Sequence, residues 1–186
     1  MLKKNGHTPE FLLSACRKGD PKAQKEMYRR YFPAMYNTAL RMVNDPFEAE
    51  DLMQEAFLDA FENMDAFEGR ASFGSWLKRI VINRCLNHLK KRKIDFAYAD
   101  EETWEKIPER NVEEHNVQIS PETVSQAIAQ LADGFRIILS LYLIEGYDHQ
   151  EIAQILNIQP STSRSQFVRG REKLRKILIQ QFEMKM

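Results

Sequence analysis

The sequence predicts an all-α protein: two helical domains joined by an acidic linker, the second domain containing a helix-turn-helix. Three observations predict it. Apolar residues recur at three- and four-residue spacing on both sides of a middle segment, which is the period of a helix with one buried face. Pairs such as Thr8-Pro9, Asp20-Pro21, Asp45-Pro46 and Ser120-Pro121 put a capping residue before a proline, the pattern of a helix start. Between the two periodic regions, residues 95–120 show neither the helical nor the strand period. The resulting division is 1–94, 95–120 and 121–186, and 186 residues accommodate one to two domains with a real core.

In the first domain, Thr8-Pro9 opens a short helix that Gly19 closes. Asp20-Pro21 opens a second, running to about Val43, in which Pro33 predicts a kink or a split. Asp45-Pro46 opens a third. Its Ala49, Leu52, Met53, Ala56, Phe57, Ala60 and Phe61 form an apolar stripe, and its other face is acidic. Residues 67–71 form a loop, and Ser72 caps a fourth helix from about Phe73 to Lys91.

That fourth helix is the most informative element. Ile82, Leu86 and Leu89 make its apolar face, while Trp76, Ile80, Asn83 and Asn87 fall on a separate stripe continued by Lys90 and Lys91. An aromatic platform, two amides and flanking cations are what unstacked bases require. The ring stacks on a base, the amides bond base edges, and the lysines hold phosphates.

The middle segment is acidic, contains Pro108 and Asn111, and reads as a linker that is flexible in isolation. In the second domain, Ser120-Pro121 starts a helix with Val124, Ile128 and Leu131 inward, ending near Asp133-Gly134. An apolar helix from about Phe135 to Glu145 follows, closed by Gly146. Asp148 and Glu151 form a capping box for a helix carrying Ile152, Ala153, Ile155 and Leu156. Asn157 stands at a sharp turn, Ile158 plugs it, and a basic helix begins near Thr162 with Phe167, Gly170, Leu174 and Ile177 inward. A helix, a short turn and a basic helix make a helix-turn-helix, whose second helix enters the major groove by its N-terminal residues. Thr162, Ser163, Arg164, Gln166 and Arg169 are therefore groove or phosphate candidates, with Arg171, Lys173 and Lys176 nearer phosphate or solvent.

The 27 Lys and Arg balance 27 Asp and Glu, which excludes a simple polycation. The zero sum hides sorted segments. Every charge from Asp45 to Glu68 is negative and every charge from Lys78 to Lys93 is positive. The stretch from Asp95 to Glu122 is mostly acidic, and that from Arg164 to Lys176 is mostly basic. Basic helices are electrostatic footprints for phosphate. Cys16 and Cys85, far apart and without a Cys or His cluster, predict reduced thiols and no zinc site. No apolar run approaches the roughly 20 residues that span a bilayer, so the expectation is a cytoplasmic protein without membrane insertion.

These residues resemble a family. Residues 45–61, DPFEAEDLMQEAFLDAF, and 67–83, FEGRASFGSWLKRIVIN, closely resemble the second region of bacterial sigma factors of the extracytoplasmic-function group. Residues 146–158, GYDHQEIAQILNI, with 162–165 and 169–174, resemble their fourth region. The resemblance implies a promoter-specificity subunit that binds core RNA polymerase and promoter DNA, makes no bonds itself and needs no cofactor. It implies that Asp51, Leu52, Gln54, Glu55 and Phe57 dock on the polymerase clamp helices. It places Phe67, Arg70, Ser72 and Phe73 in a loop caging a flipped base of the −10 element, read also by Trp76, Asn83, Asn87, Lys90 and Lys91. It assigns Thr162, Ser163, Arg164, Ser165, Gln166, Arg169, Arg171 and Lys173 to the −35 element, and the linker to the polymerase channel and RNA exit path. An anti-sigma partner is also implied. The family usually has Gly where Asn157 stands, an apolar residue at Ser163 and Ala at Gly170.

Two other readings compete. A stand-alone helix-turn-helix regulator with an N-terminal sensor or dimerisation domain would bind duplex DNA tightly without polymerase. A helical nuclease would need carboxylates at metal spacing. Glu50, Asp51 and Glu55 are the nearest, but adjacent residues diverge on a helix and no His accompanies them.

Overall fold

The computed structural model describes residues 9–92 and 120–183, which fall into two compact units divided after Arg92. The Thr8 cap and nearly all of the predicted linker lie outside the described residues.

The first unit contains α1 (Pro9–Arg17), α2 (Pro21–Val43), α3 (Pro46–Glu62) and α4 (Phe73–Lys91), with a 3₁₀ turn at Met64–Ala66. Its helix starts follow the capping logic. The Asp20 carboxylate accepts from the backbone N–H of Lys22 and Ala23, and Asp45 does the same for Phe47 and Glu48. Ser72 accepts from Ser75 N–H at the start of α4. Of the kink or split expected at Pro33, the split does not occur, and α2 runs through it as one helix. An interior proline costs about 3 kcal/mol. Here Met27 before it and Met35, Ala39 and Met42 after it are all buried, so packing on α3 and α4 holds both halves in line. Rings add to this: Tyr28 lies 4.8 Å from Phe57 and 5.5 Å from Phe32 between centroids. Asn44 ends α2 in the left-handed region at φ 58°, its N–H bonded to Leu40 C=O.

The core of this unit is the meeting of α2, α3 and α4. The predicted α3 stripe is buried through Ala49, Leu52, Met53, Ala56, Phe57 and Ala60, and Phe61 lies half-buried beside it. On α4, Ile82, Leu86 and Leu89 are buried as predicted, joined by Phe73, Leu77, Val81 and Cys85. Both cysteines are free and buried. The α1 helix packs on α2, and Arg17 Nη2 donates to Phe67 C=O at 2.6 Å, tying it to the loop before α4.

The second unit contains α5 (Pro121–Ala129), α6 (Asp133–Leu139), a π-helical segment Ser140–Ile144, α7 (His149–Leu156) and α8 (Pro160–Glu183). Asp133 opens a helix rather than closing one. The Arg136 guanidinium, almost wholly buried, donates to the Asp133 carboxylate at 2.5 Å and so fixes that first turn. The predicted Phe135–Glu145 helix continues in π form, with Glu145 N–H bonding Ser140 C=O five residues back. Ala127, Ile128, Leu131, Phe135, Leu139 and Leu174 form the core, with Val124, Phe167, Ile177 and Leu178 packed against it.

The capping box is present in both halves: Asp148 accepts from Glu151 N–H, and the Glu151 carboxylate accepts from Asp148 N–H. Asn157 takes the left-handed turn at φ 55°, its N–H bonded to Ala153 C=O. The basic helix starts at Pro160, two residues earlier than predicted, because a proline at the first position gives up an N–H that has no partner there anyway.

Candidate nucleic-acid interfaces

The α4 stripe forms a site. An open groove of about 430 Å³ is lined by Trp76, Ile80, Asn83, Arg84 and Asn87 from α4, and by Asp59 and Asn63 from the end of α3. Asn83 and Asn87 are exposed, and Trp76 and Ile80 are half-buried. The Trp76 ring packs on Phe67 at 5.4 Å and on Phe73 at 5.6 Å, and Phe73 meets Tyr31 at 5.3 Å. An aromatic wall, three neutral amides and an ion pair thus share one concavity. This is chemistry suited to a base edge, since amides both donate and accept.

The loop residues separate into supports and exposed groups. Phe67 and Phe73 are 6% and 4% exposed, so they brace Trp76 from beneath instead of offering their faces to a base, which corrects their expected role. The reason is that α1 and α2 cover them, through Arg17 and Tyr31. Ser72 spends its hydroxyl on the helix cap. Arg70 is open to solvent, with Nε 2.6 Å from Glu68. Lys90 and Lys91 are exposed at the end of α4.

On α3, Asp51, Gln54 and Glu55 are exposed, but Leu52 and Phe57 are buried at 7% and 1%. Their expected contact with a partner is corrected, because both belong to the apolar stripe that holds α3 in the core. Two other apolar side chains are open instead: Phe47 at 79% and Leu58 at 61%. Positions 47, 51, 54 and 58 follow the helical repeat, so Phe47, Asp51, Gln54 and Leu58 share one outward face. The sequence carried that signal, since both residues are out of phase with the core stripe.

A row of ion pairs between α3 and α4 was also missed. Arg84 donates twice to Asp59, from Nε and Nη2 at 2.5 Å each, and from Nη1 to Glu55 at 3.0 Å. These bonds hold its guanidinium protonated beyond the ordinary range. Arg92 donates from Nη1 to both Glu48 oxygens at 2.9 and 3.3 Å. His88 Nε2 lies 3.2 Å from the same carboxylate, out of hydrogen-bond alignment. Part of the acidic run and part of the basic run therefore pair along one seam. Their helical spacing, 48, 55, 59 against 84, 88, 92, was the readable clue.

In the second unit, the helix-turn-helix presents an outward face of α8 made by Arg164, Ser165, Val168 and Arg171, all exposed. Thr162 and Arg169 are half-buried, and the Lys173 ammonium lies 5.2 Å over the Phe135 ring. Ser163 and Gln166 point inward and are 0% and 3% exposed, which corrects their assignment to the groove. They fall in phase with Gly170 and Leu174, the face that packs on α6 and α7. Ser163 Oγ meets His149 Nδ1 at 2.9 Å across the turn. That imidazole stacks on Tyr142 at 4.7 Å and meets Phe167 edge-on at 5.4 Å. Burial, and then the nearby Arg164 charge, hold its pKa below the ordinary 6.5, against a smaller opposing pull from Asp148.

Two helical units, one with an open groove of aromatic, amide and charged groups and one with a basic helix-turn-helix, define a DNA-binding regulator of transcription. Comparison with known proteins gives the family. Residues 27–94 match Sigma-70 region 2, and residues 122–174 match Sigma-70, region 4. The chain is 34% identical over 177 residues to the ECF RNA polymerase sigma factor SigW of Bacillus subtilis, covering 89% of this chain and 94% of that protein. It is 32% identical over 180 residues to the RNA polymerase sigma-H factor of Pseudomonas aeruginosa, covering 90% and 92%. Among solved structures, the sigma factor RpoE from Bartonella quintana, in complex with the anti-sigma factor NepR, shares the fold. Its TM-score is 0.55 at 22% identity, covering 83% of this chain and 95% of that one. The chain belongs to the extracytoplasmic-function (ECF) sigma factors, which direct RNA polymerase to promoters.

Proposed function

We propose the following division of labour within this sigma factor. The α4 groove, with Trp76, Asn83 and Asn87, takes an unstacked base of the −10 element, and Lys90 and Lys91 hold the adjoining phosphates. The outer face of α8 reads the −35 element, with Arg164 and Ser165 toward base edges, Val168 toward a thymine methyl, and Arg169 and Arg171 on phosphate. The outward face of α3, with Phe47, Asp51, Gln54 and Leu58, docks on polymerase, and Glu55 beside it is taken up by Arg84. Two exposed apolar residues beside carboxylates suit an interface with an apolar centre and charged rim.

The observation that carries this reading is the groove, which gathers the aromatic, the amides of Asn83 and Asn87 and the ion pair on one exposed surface. The chain acts in the cytoplasm, where polymerase and promoter meet, and no described helix is long and apolar enough to cross a membrane. An anti-sigma protein restrains it, a reading supported by a sigma factor of the same fold solved with such a partner. The decisive experiment adds the purified chain to core RNA polymerase and assays transcription from a library of genomic promoters. Promoter-dependent initiation is expected. Tight duplex binding by the chain alone, with no affinity for polymerase, would refute the reading in favour of a stand-alone regulator.

A further inference from the structure

We propose that Arg84 and Arg92 are DNA-phosphate ligands held in reserve, with the α3 carboxylates occupying their donors until promoter DNA displaces them. This deepens the reading that α4 faces DNA and rests on it. Arg84 lines the groove beside Asn83 and Asn87, and Arg92 continues its flank one turn beyond His88, next to the exposed Lys90 and Lys91. In the free chain neither guanidinium presents a whole fork outward. Asp59 and Glu55 take three bonds from Arg84, and the two oxygens of Glu48 share Arg92 Nη1.

The exposures suit an exchangeable contact. The side chains of Arg84 and Arg92 are 38% and 52% exposed, and those of Asp59, Glu55 and Glu48 are 32%, 53% and 31%. The Arg92–Glu48 pair, made through one nitrogen, is of the weak exposed kind. The bidentate Arg84–Asp59 pair with Glu55 is held more tightly and yields only to a partner of the same two-oxygen geometry. A DNA phosphate offers a guanidinium the same two-oxygen geometry as a carboxylate. Polymerase holding DNA against α4 raises the local phosphate concentration enough to make the exchange. Free in solution, the chain meets DNA with Arg84 and Arg92 already paired, which lowers non-specific binding.

The test is a double-mutant cycle on the full chain. The probe is a fluorescein-labelled single-stranded oligonucleotide of mixed sequence, read by anisotropy over a salt series. Glu48→Gln should tighten binding and steepen the slope of log K against log salt by about 0.7, the increment for one added phosphate contact on a single strand. Adding Arg92→Gln should cancel that gain, and Asp59→Asn with Arg84→Gln should behave in the same way. The proposal is overturned if Glu48→Gln, with an unchanged circular-dichroism melt, gains nothing. It is equally overturned if the gain survives in Glu48→Gln/Arg92→Gln, because lost repulsion would then be the cause. Should Asp59→Asn fail to fold, the Glu48 cycle alone decides. Promoter-dependent transcription by the wild-type chain with core polymerase, measured in parallel, tests the sigma reading independently of this result.

Discussion

Replacing Gly170 by alanine tests how closely α8 is pressed onto α6. A Cβ built at Gly170 would lie 3.2 Å from Leu139 Cδ1, 3.3 Å from Leu139 Cγ and 3.3 Å from Phe135 Cβ. Both neighbours are core residues, 0% and 1% exposed, and the Phe135 Cβ is fixed directly to its backbone, so it cannot rotate away. Two terms oppose. Alanine in a helix interior gains about 1 kcal/mol over glycine, and forcing a methyl into a filled core loses roughly 1–3 kcal/mol. The clash wins, for a net loss of about 1 kcal/mol. In a domain of this size that lowers the melting temperature by about 4–8 °C. Urea melts by circular dichroism give the size, and hydrogen exchange of the α6 and α8 amides gives the place. A compensating Leu139→Val in the same chain should recover part of the loss, since the two sites touch. Stabilisation by Gly170→Ala alone would refute the reasoning, because it would mean that α6 yields freely and that propensity decides. In this chain Leu139 and Phe135 fill the space that a methyl at position 170 would take.

Four further outcomes are expected. Asn83→Ala should weaken opening at the −10 element, measured by permanganate reactivity of unpaired thymines, while leaving polymerase affinity intact; equal loss of both would refute separate docking and reading faces. Arg164→Ala should relax −35 preference by about 1–3 kcal/mol if its contact is bidentate. Gln166→Met should leave the ranking of −35 variants unchanged and leave stability equal or higher, because the buried Gln166 Oε1 has no hydrogen-bond partner to lose. Stability should also fall on acidification through His149. Its pKa is lowered by burial, so its contribution is complete above the ordinary 6.5 and is lost as pH falls from there toward the folded value. A His149→Gln variant should flatten the dependence of melting temperature on pH between about 7.5 and 5, and an unchanged slope would place the effect elsewhere.

Helix starts were legible because each rests on a local rule. Asp20, Asp45, Ser72, Ser120 and Asp148 all cap, as their sequence contexts predict. Position within a helix was legible only where phase was followed to its end. Phe167, Gly170 and Leu174 were placed inward by their repeat, and the same repeat puts Ser163 and Gln166 beside them. Assigning those two to DNA followed their polarity and their place near the helix start, and packing overrode both. Leu52 and Phe57 repeat the lesson on α3, where the core stripe excludes them from the surface while Phe47 and Leu58 stand open. Pro33 erred the other way. Its local rule is strong, but burial on both sides of it outweighs a break worth about 3 kcal/mol.

The equal count of 27 cations and 27 anions has a structural content that composition could not express. Read along the chain, the acidic α3 and the basic α4 suggest two faces for two partners. In space, Glu48, Glu55 and Asp59 turn toward Arg84, His88 and Arg92, so part of the balance is struck between neighbouring helices. What remains outward is divided by location: Glu50, Asp51 and Glu62 are exposed on α3, and Lys90 and Lys91 at the end of α4. In the second unit the exposed Arg164 and Arg171 lie on α8. Because the free-energy gain from DNA binding grows with the number of phosphates neutralised, the seam sets how strongly the first unit can hold DNA by itself. On the proposed assignment, a −10 surface whose Arg84 and Arg92 are already paired with α3 carboxylates depends on polymerase to bring DNA to it.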